Sequence, residues 1–339
     1  MKIEKLNNIS FIKVTMMLLI VLYHSLLFFG GTWFTVIKVV YKSRFLYAIA
    51  LWFNTFHIHT FAMASGYLFY YYKDKKNISH KQNIIKKINR LIVPYIFVGL
   101  LWVIPFKYFL EGNDICSQLV EFVLGIANEQ LWFLMMLFIL YLIFEFIFKK
   151  ISVSRMNLLI ILVVSSIIYY ILTFNGIYYY QIHNVFCFIP FFYLGGYLYV
   201  TKYKYNYNKV YWLLLGGSIL AIMLSALKNS NPFIENILMH SFSMIEVILI
   251  YVLCDYLTKK NSKIINNKLF LFLENYSYGI YLFHMQIIFI CIVLLNGHIY
   301  PLVQVILSFM ISIIVSIIIT YGLTRIKLTS FLIGYKVDK

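Results

Sequence analysis

The sequence predicts an all-α, polytopic integral membrane helix bundle with about ten transmembrane helices and both termini in the cytoplasm. One indication is composition, since 62% of the 339 residues are hydrophobic and 12% are charged, about half the charged fraction of a typical soluble domain. Long apolar runs recur along the chain, and basic residues cluster between them. Water could not solvate such a surface, so these features exclude a soluble protein.

Ten apolar runs in the sequence are long enough to cross a bilayer. The second run is longer than one span needs, so we expect it to tilt or break. We predict a single transmembrane domain over 1–339 with a core at about 9–323, no separate soluble domain and no cleaved signal peptide. The predicted spans are 9–30, 46–72, 91–110, 131–148, 156–174, 185–200, 210–227, 237–257, 276–295 and 301–323.

The distribution of Lys and Arg predicts the orientation. Loops on the side of the N-terminus, among them the strongly basic loop 73–90, hold 23 of the 29 basic residues. Five lie in loops on the other side, and Lys13 lies within the first span. Basic residues remain on the cytoplasmic side, so both termini are predicted there. The net charge of +17 therefore indicates topology and contact with anionic lipid, not nucleic-acid binding.

Lys13 and His24 are the most informative residues, because ionisable side chains are rare inside a span and usually face the bundle interior. They are eleven positions apart, which places both on one helix face about 16 Å apart. His24 could act as a general base, with Lys13 binding an anionic group. The alternative is that Lys13 extends to the membrane interface and His24 is a hydrogen-bonding residue between helices.

The second apolar run contains FHIHTFAMASGYLF, with His57, Ser65 and Gly66. His57 and Ser65 are eight apart and so lie near one face, whereas His57 and His59 point to different faces. We predict that His57, Ser65 and Gly66 line the site. The alternative for Ser65 and Gly66 is close packing between helices through small residues.

Lys86, Lys87 and Arg90 lie at the predicted cytoplasmic start of the third span. Such a basic cluster at a helix N-terminus suits a phosphate-bearing ligand such as the nucleotide of a coenzyme A. The alternative is contact with lipid head groups, which applies more to the two lysines than to Arg90.

Further candidates lie near the opposite side and in the ninth span. Glu129 and Trp132 combine an acid with an aromatic ring, which could bind a polyol acceptor, although an interfacial aromatic belt would also explain Trp132. His284 lies in a span and could line the same cavity as His24, or make a structural hydrogen bond. The four cysteines form no CxxC pair, so we expect neither disulfides nor a metal site.

Five short motifs follow one another between Lys13 and His284. In this order they resemble the acyltransferase-3 family of polytopic membrane acyltransferases, in particular the branch that O-acetylates bacterial polysaccharides. The motifs are Lys13-x10-His24; Phe56-His57-Ile58 with Ser65-Gly66-Tyr67; Asn89-Arg90-Leu91 with Pro94-Tyr95; Leu131-Trp132-Phe133-Leu134; and Tyr276-Ser277-Tyr278 with Tyr281-Leu282-Phe283-His284.

The resemblance implies a ten-helix core that takes acyl-CoA from the cytoplasm and an acceptor from the outer side. It implies that His24 is catalytic with Lys13 as its basic partner, and that Arg90 serves the acyl donor. Three positions depart from the branch: Ser10 replaces an acid, His59 replaces a proline, and Gln130 replaces a histidine. Ser10 removes an expected charge partner of Lys13.

We therefore expect a multi-pass bacterial plasma-membrane O-acetyltransferase. It would transfer acetyl from cytoplasmic acetyl-CoA, a co-substrate and not a permanently bound cofactor, to a hydroxyl of a capsular, exopolysaccharide or other cell-envelope glycan. Two alternatives remain open. A transporter or flippase for a polysaccharide or lipid-linked sugar would also need inward polar groups, but not CoA. An accessory subunit of a synthase would tolerate the loss of Lys13, His24 and His57.

Overall fold

The structure, a computed structural model, describes residues 6–34, 36–75, 79–112, 114–126, 129–148, 151–202, 232–261 and 263–335, and most of these residues are helical. No strand occurs in these ranges. The helices are α1 (Asn7–Leu27), α2 (Arg44–Asn54), α3 (His57–Lys75), α4 (His80–Lys87), α5 (Val93–Val98), α6 (Ile104–Glu111), α7 (Ile115–Val123), α8 (Trp132–Phe146), α9 (Arg155–Phe174), α10 (Ile182–Thr201), α11 (Pro232–Lys260), α12 (Lys268–Leu295), α13 (Pro301–Thr324) and α14 (Lys327–Leu332).

Short polar side chains determine where several helices begin. At the residue before the helix, a side-chain oxygen accepts a hydrogen bond from a backbone amide that has no partner within the helix. Five helices begin in this way, after Ser43, Ser79, Asp114, Ser154 and Asn267.

The predicted all-helical membrane bundle is confirmed. Within the described part of the chain, eight helical stretches are long and apolar enough to cross a bilayer. They agree with eight of the ten predicted spans, and the predicted span 210–227 lies outside the described residues. The eight stretches are Asn7–Gly30, His80–Glu111, Glu129–Phe146, Arg155–Phe174, Tyr179–Thr201, Asn236–Lys260, Lys268–Leu295 and Pro301–Thr324.

The predicted span 46–72 is two helices, α2 and α3, separated by Thr55 and Phe56. The Thr55 hydroxyl donates a hydrogen bond to the buried carboxylate of Glu246 on α11. A buried carboxylate needs a hydrogen-bond donor, so this contact holds the two residues between α2 and α3 next to α11.

The predicted loop 73–90 is also corrected, because much of it is helical. α3 extends to Lys75 and α4 begins at His80. α4 continues through a π-helical turn at Ile88–Ile92 into α5, and a second π turn at Gly99–Val103 leads into α6. π turns mark places where the regular hydrogen-bond ladder is interrupted, and Pro94, which has no amide hydrogen, lies just after the first one.

Glycines bring α3 and α10 into close contact. A Cβ atom added to Gly66 would lie 1.9 Å from the carbonyl oxygen of Phe192, and one added to Gly195 would lie 2.0 Å from that of Met63. Small residues allow helix backbones to approach in this way in membranes. Gly66 therefore packs against α10, as in the alternative of close packing through small residues.

Gly66→Ala should lower the apparent melting temperature of the purified protein in detergent, because the methyl group would displace the α10 backbone. Overpacking of this kind costs about 1–3 kcal/mol. Gly322→Ala is the matched control, since a Cβ at Gly322 on α13 meets no atom within 4 Å. Equal melting temperatures for Gly66→Ala and the wild type would show that the close contact is not required.

Candidate functional site

A cavity of about 670 Å³ lies between α1, α3, α4, α8 and α12. Residue numbers along these helices show its depth. On α1, Lys13 lines the basic mouth and Ile20 lies further in. On α3, the lining residues from the mouth inward are Tyr72, Leu68, Ser65 and Phe61. The eleven residues from Phe61 to Tyr72 correspond to a depth of about 16 Å.

The mouth of the cavity is basic. Lys13, Lys86, Lys87 and Arg90 all line it, so the structure brings together the predicted basic residues of two separate helices. The α4 lysines and Arg90 lie three to four residues apart, which is the spacing of one helix face. Their positive charges suit a ligand that carries several phosphates.

Lys13 lines the cavity at its basic mouth. The charges of Arg90, Glu274 and Lys87 all act on its ammonium group. Glu274, on α12, thus supplies a negative charge that Ser10 does not provide. This partner was not recognisable from the local pattern around Lys13, since Glu274 lies 261 positions away.

Glu145 attaches α4 to the bundle. This carboxylate, 8% exposed at the end of α8, accepts hydrogen bonds from the His80 ring and from Asn83 Nδ2, the latter at 2.8 Å. Asn83 itself lines the cavity. Since α4 contains no buried residue of its own, these bonds hold the helix that carries Lys86 and Lys87.

Arg90 lies at a junction of three segments. Its Nη1 donates to the carbonyl oxygen of Gly334 at 3.1 Å, and its guanidinium lies 4.8 Å from the centre of the Tyr278 ring. Its own carbonyl cannot accept the usual helical bond from Pro94, which has no amide hydrogen. The Tyr278 hydroxyl donates to that carbonyl instead, at 2.5 Å.

The segment after α14 covers one side of the mouth. The Tyr335 hydroxyl donates to the Asn275 carbonyl and accepts from the Gly279 amide, both at 3.1 Å. Burial raises the pKa of Tyr335 to about 12, so the hydroxyl keeps its proton at neutral pH. Phe331, Gly334 and Tyr335 thereby become part of the cavity wall.

Three aromatic rings close the inner end of the cavity, one each from α3, α8 and α12. The ring of Phe133 lies 6.2 Å from that of Phe61 and 6.2 Å from that of Tyr281, centre to centre. Ile20 adds the contribution of α1 at the same level. The Tyr281 hydroxyl donates to the carbonyl of Gln130, which fixes the ring in place.

One helical turn beyond these rings, His24 and His284 are in contact. His24 Nδ1 lies 3.1 Å from His284 Nε2, and His284 Nδ1 faces the carbonyls of Ile280 and Tyr281 at 3.0 and 2.9 Å. Carbonyls only accept, so His284 Nδ1 carries the hydrogen and Nε2 is an acceptor. His24 Nδ1 must then donate, which leaves the lone pair on His24 Nε2.

The surroundings of the histidine pair are aromatic and polar. Trp33 stacks on His24 with ring centres 5.6 Å apart, and Tyr23 lies between His24 and His57. His57 is buried and its Nδ1 faces the Phe53 carbonyl at 2.5 Å. The pair thus lies in a layer where polar side chains are held by protein groups.

Gln130 stands where the family branch often has a histidine. Its side-chain amide binds α12 and, through Gln286, is linked to Trp102. It donates to the Leu282 carbonyl at 2.7 Å and to Gln286 Oε1 at 2.9 Å, and Trp102 Nε1 donates to the same oxygen at 3.0 Å. The Gln130 amide therefore holds the backbone of α12 in place next to Tyr281, one of the three rings that close the cavity.

The remaining predicted site residues do not line the cavity. Glu129 forms an ion pair with Lys107, with a distance of 3.4 Å from Nζ to Oε1. The Trp132 ring packs on Phe133 and Phe188. Glu129 lies just before α8 and Trp132 begins it, at the end away from the basic mouth, whereas Ser65 does line the cavity.

The fold and the site define a polytopic membrane protein with a basic-mouthed cavity and, one helical turn beyond its inner end, two histidines in contact. The family model described as an acyltransferase domain, Acyl_transf_3, matches residues 6–325. The chain therefore belongs to the acyltransferase-3 family and is a multi-pass membrane acyltransferase. No curated protein and no solved structure matches it.

Glu145→Ala should release α4, because His80 and Asn83 would lose their shared acceptor. Hydrogen bonds to a charged group contribute about 1.5–3 kcal/mol, so amide hydrogen exchange in peptides covering 80–87 should become about tenfold faster or more. Glu145→Gln keeps one acceptor and should give an intermediate rate, with peptides from α13 unchanged. Unaltered exchange in 80–87 would contradict the anchoring role.

Proposed function

We propose that the protein is an O-acetyltransferase of the bacterial plasma membrane. It transfers acetyl from cytoplasmic acetyl-CoA to a hydroxyl group of a capsular, exopolysaccharide or other cell-envelope glycan. The observation that carries this proposal is the contact of His24 Nδ1 with His284 Nε2, which leaves the lone pair on His24 Nε2, one turn beyond the end of a cavity with a basic mouth.

His24 serves as the general base. As the acceptor hydroxyl attacks the thioester carbonyl, its proton passes to His24 Nε2. The tetrahedral intermediate then expels the CoA thiolate, which takes the proton back from the imidazolium, and His24 returns to neutral. His284 orients the ring throughout, because its Nε2 accepts from His24 Nδ1. This is the arrangement of a base oriented by a third group.

The basic mouth supports a CoA ester as the acyl donor. Lys86, Lys87 and Arg90 offer charge-assisted hydrogen bonds to phosphates, and positive charges predominate on the side that the Lys and Arg count assigns to the cytoplasm. Apolar side chains such as Leu68 and Leu137 line the interior, which suits the uncharged arm that leads to the thioester.

An acceptor from the opposite side would meet aromatic and polar side chains. Trp33 lies on the ring of His24, and Glu129 and Trp132 lie at the outer end of α8. An indole face next to polar groups is a suitable surface for a sugar ring, which has apolar C–H faces and hydroxyl edges. This arrangement favours a glycan acceptor.

His24→Ala should abolish O-acetylation, because general-base catalysis contributes about 10²- to 10⁴-fold. The variant and the wild type are expressed in a host that lacks the gene, at equal membrane levels, and the O-acetyl content of the purified surface glycan is measured by proton NMR. His298→Ala, at an exposed position after α12, should retain wild-type acetylation.

Normal acetyl content in His24→Ala would rule out the assigned base. If loss of the protein stops glycan export while the acetyl content per sugar stays constant, a transporter function replaces the proposal.

Lys87→Ala should raise KM for acetyl-CoA about tenfold, the effect expected for loss of one charge-assisted hydrogen bond to phosphate, with kcat within about twofold. Lys81→Ala is the matched control, because Lys81 lies on the same helix and does not line the cavity. Initial rates at several acetyl-CoA concentrations measure both constants. An equal rise in KM for both variants would show that the helix charge, not the cavity face, is responsible.

A further inference from the structure

The cavity and the histidine pair are separated by the wall of Phe61, Phe133 and Tyr281. Ile20 and Tyr281 line the cavity, but His24 and His284, one turn further along the same two helices, do not. The rings of Tyr281 and His284 are 6.2 Å apart. The wall therefore marks the level at which an acyl group entering from the mouth first meets the catalytic layer.

The wall is well supported from behind. Phe133 and Tyr281 are 6% and 8% exposed, and the Tyr281 hydroxyl is bound to the Gln130 carbonyl. Only Phe61 is half-buried, so it has the greatest freedom to be shortened without loss of packing. Inserting extra methylene groups between closely packed rings of this kind costs free energy.

The layer beyond the wall is unsuitable for an alkyl chain. It contains His24, His57 and His284 and the side-chain amide of Gln130. An alkyl chain that passed the rings would separate buried polar groups from their partners, which is costly in free energy. An acetyl group is short enough to end at the rings, whereas a longer chain has to displace them.

We propose that Phe61, Phe133 and Tyr281 determine acyl-chain length and restrict the acyl donor to short chains. The inference rests on the proposed function, because it assumes that a CoA ester docks with its phosphates at Lys86, Lys87 and Arg90. With the phosphates held there, the depth of about 16 Å from mouth to wall places the acyl end at the three rings. No residue of the mouth takes part in this selection.

Binding of two CoA esters tests the proposal without knowledge of the acceptor. Dissociation constants of acetyl-CoA and hexanoyl-CoA are measured by calorimetry on the purified full-length protein in detergent. The wild type should bind hexanoyl-CoA about tenfold or more weakly than acetyl-CoA, the range in which a pocket discriminates a few methylene groups. Phe61→Ala should bring the two constants to within about twofold.

Leu68→Ala is the matched control, since it also enlarges the cavity but lies two turns nearer the mouth on the same helix. It should keep the wild-type ratio of the two constants. Phe61→Val is a second variant that preserves more of the packing, and it should give an intermediate ratio.

Equal affinities of the wild type for the two esters, or an unchanged ratio in both Phe61 variants, would overturn the chain-length role and leave the acyltransferase proposal intact. Absence of wild-type binding to either CoA ester would overturn both, because it would remove the donor site itself.

Discussion

The structure depends on one constraint, which is that polar side chains within a membrane must find their partners in the protein. His284 satisfies its Nδ1 with two carbonyls of its own helix, and this fixes the hydrogen positions of the pair. As a result, His24 presents a lone pair and not a hydrogen. The position of the lone pair on His24 thus follows from the backbone of α12, a helix far from α1 in sequence.

The same constraint arranges the bundle in layers. Cations that would be costly in hydrocarbon gather at the basic mouth, where Glu274 balances part of the charge of Lys13. Apolar side chains fill the next layer, three rings close it, and polar groups bound to one another form the layer beyond. A ligand with a charged head, then a neutral arm and then a small reactive end would match these layers in the same order.

The sequence predicted the bundle, because spans are recognisable from composition and length alone. It also predicted that Lys13 and His24 share a face, since this requires only helix geometry. It did not predict the packing of Gly66 against Phe192, the Glu145 anchor, Trp33 on His24 or the contact of Tyr335 with α12. Each of these joins residues distant in sequence, so it depends on which helices become neighbours, and local pattern does not contain that information.

The most direct test of the central claim is a cryo-EM structure of the full-length protein with acetyl-CoA bound. We expect nucleotide phosphates within hydrogen-bonding distance of Lys87 and Arg90, and the thioester in contact with the rings of Phe61 and Tyr281. Density for the nucleotide beyond the histidine layer, or for phosphates held away from the basic mouth, would contradict that claim.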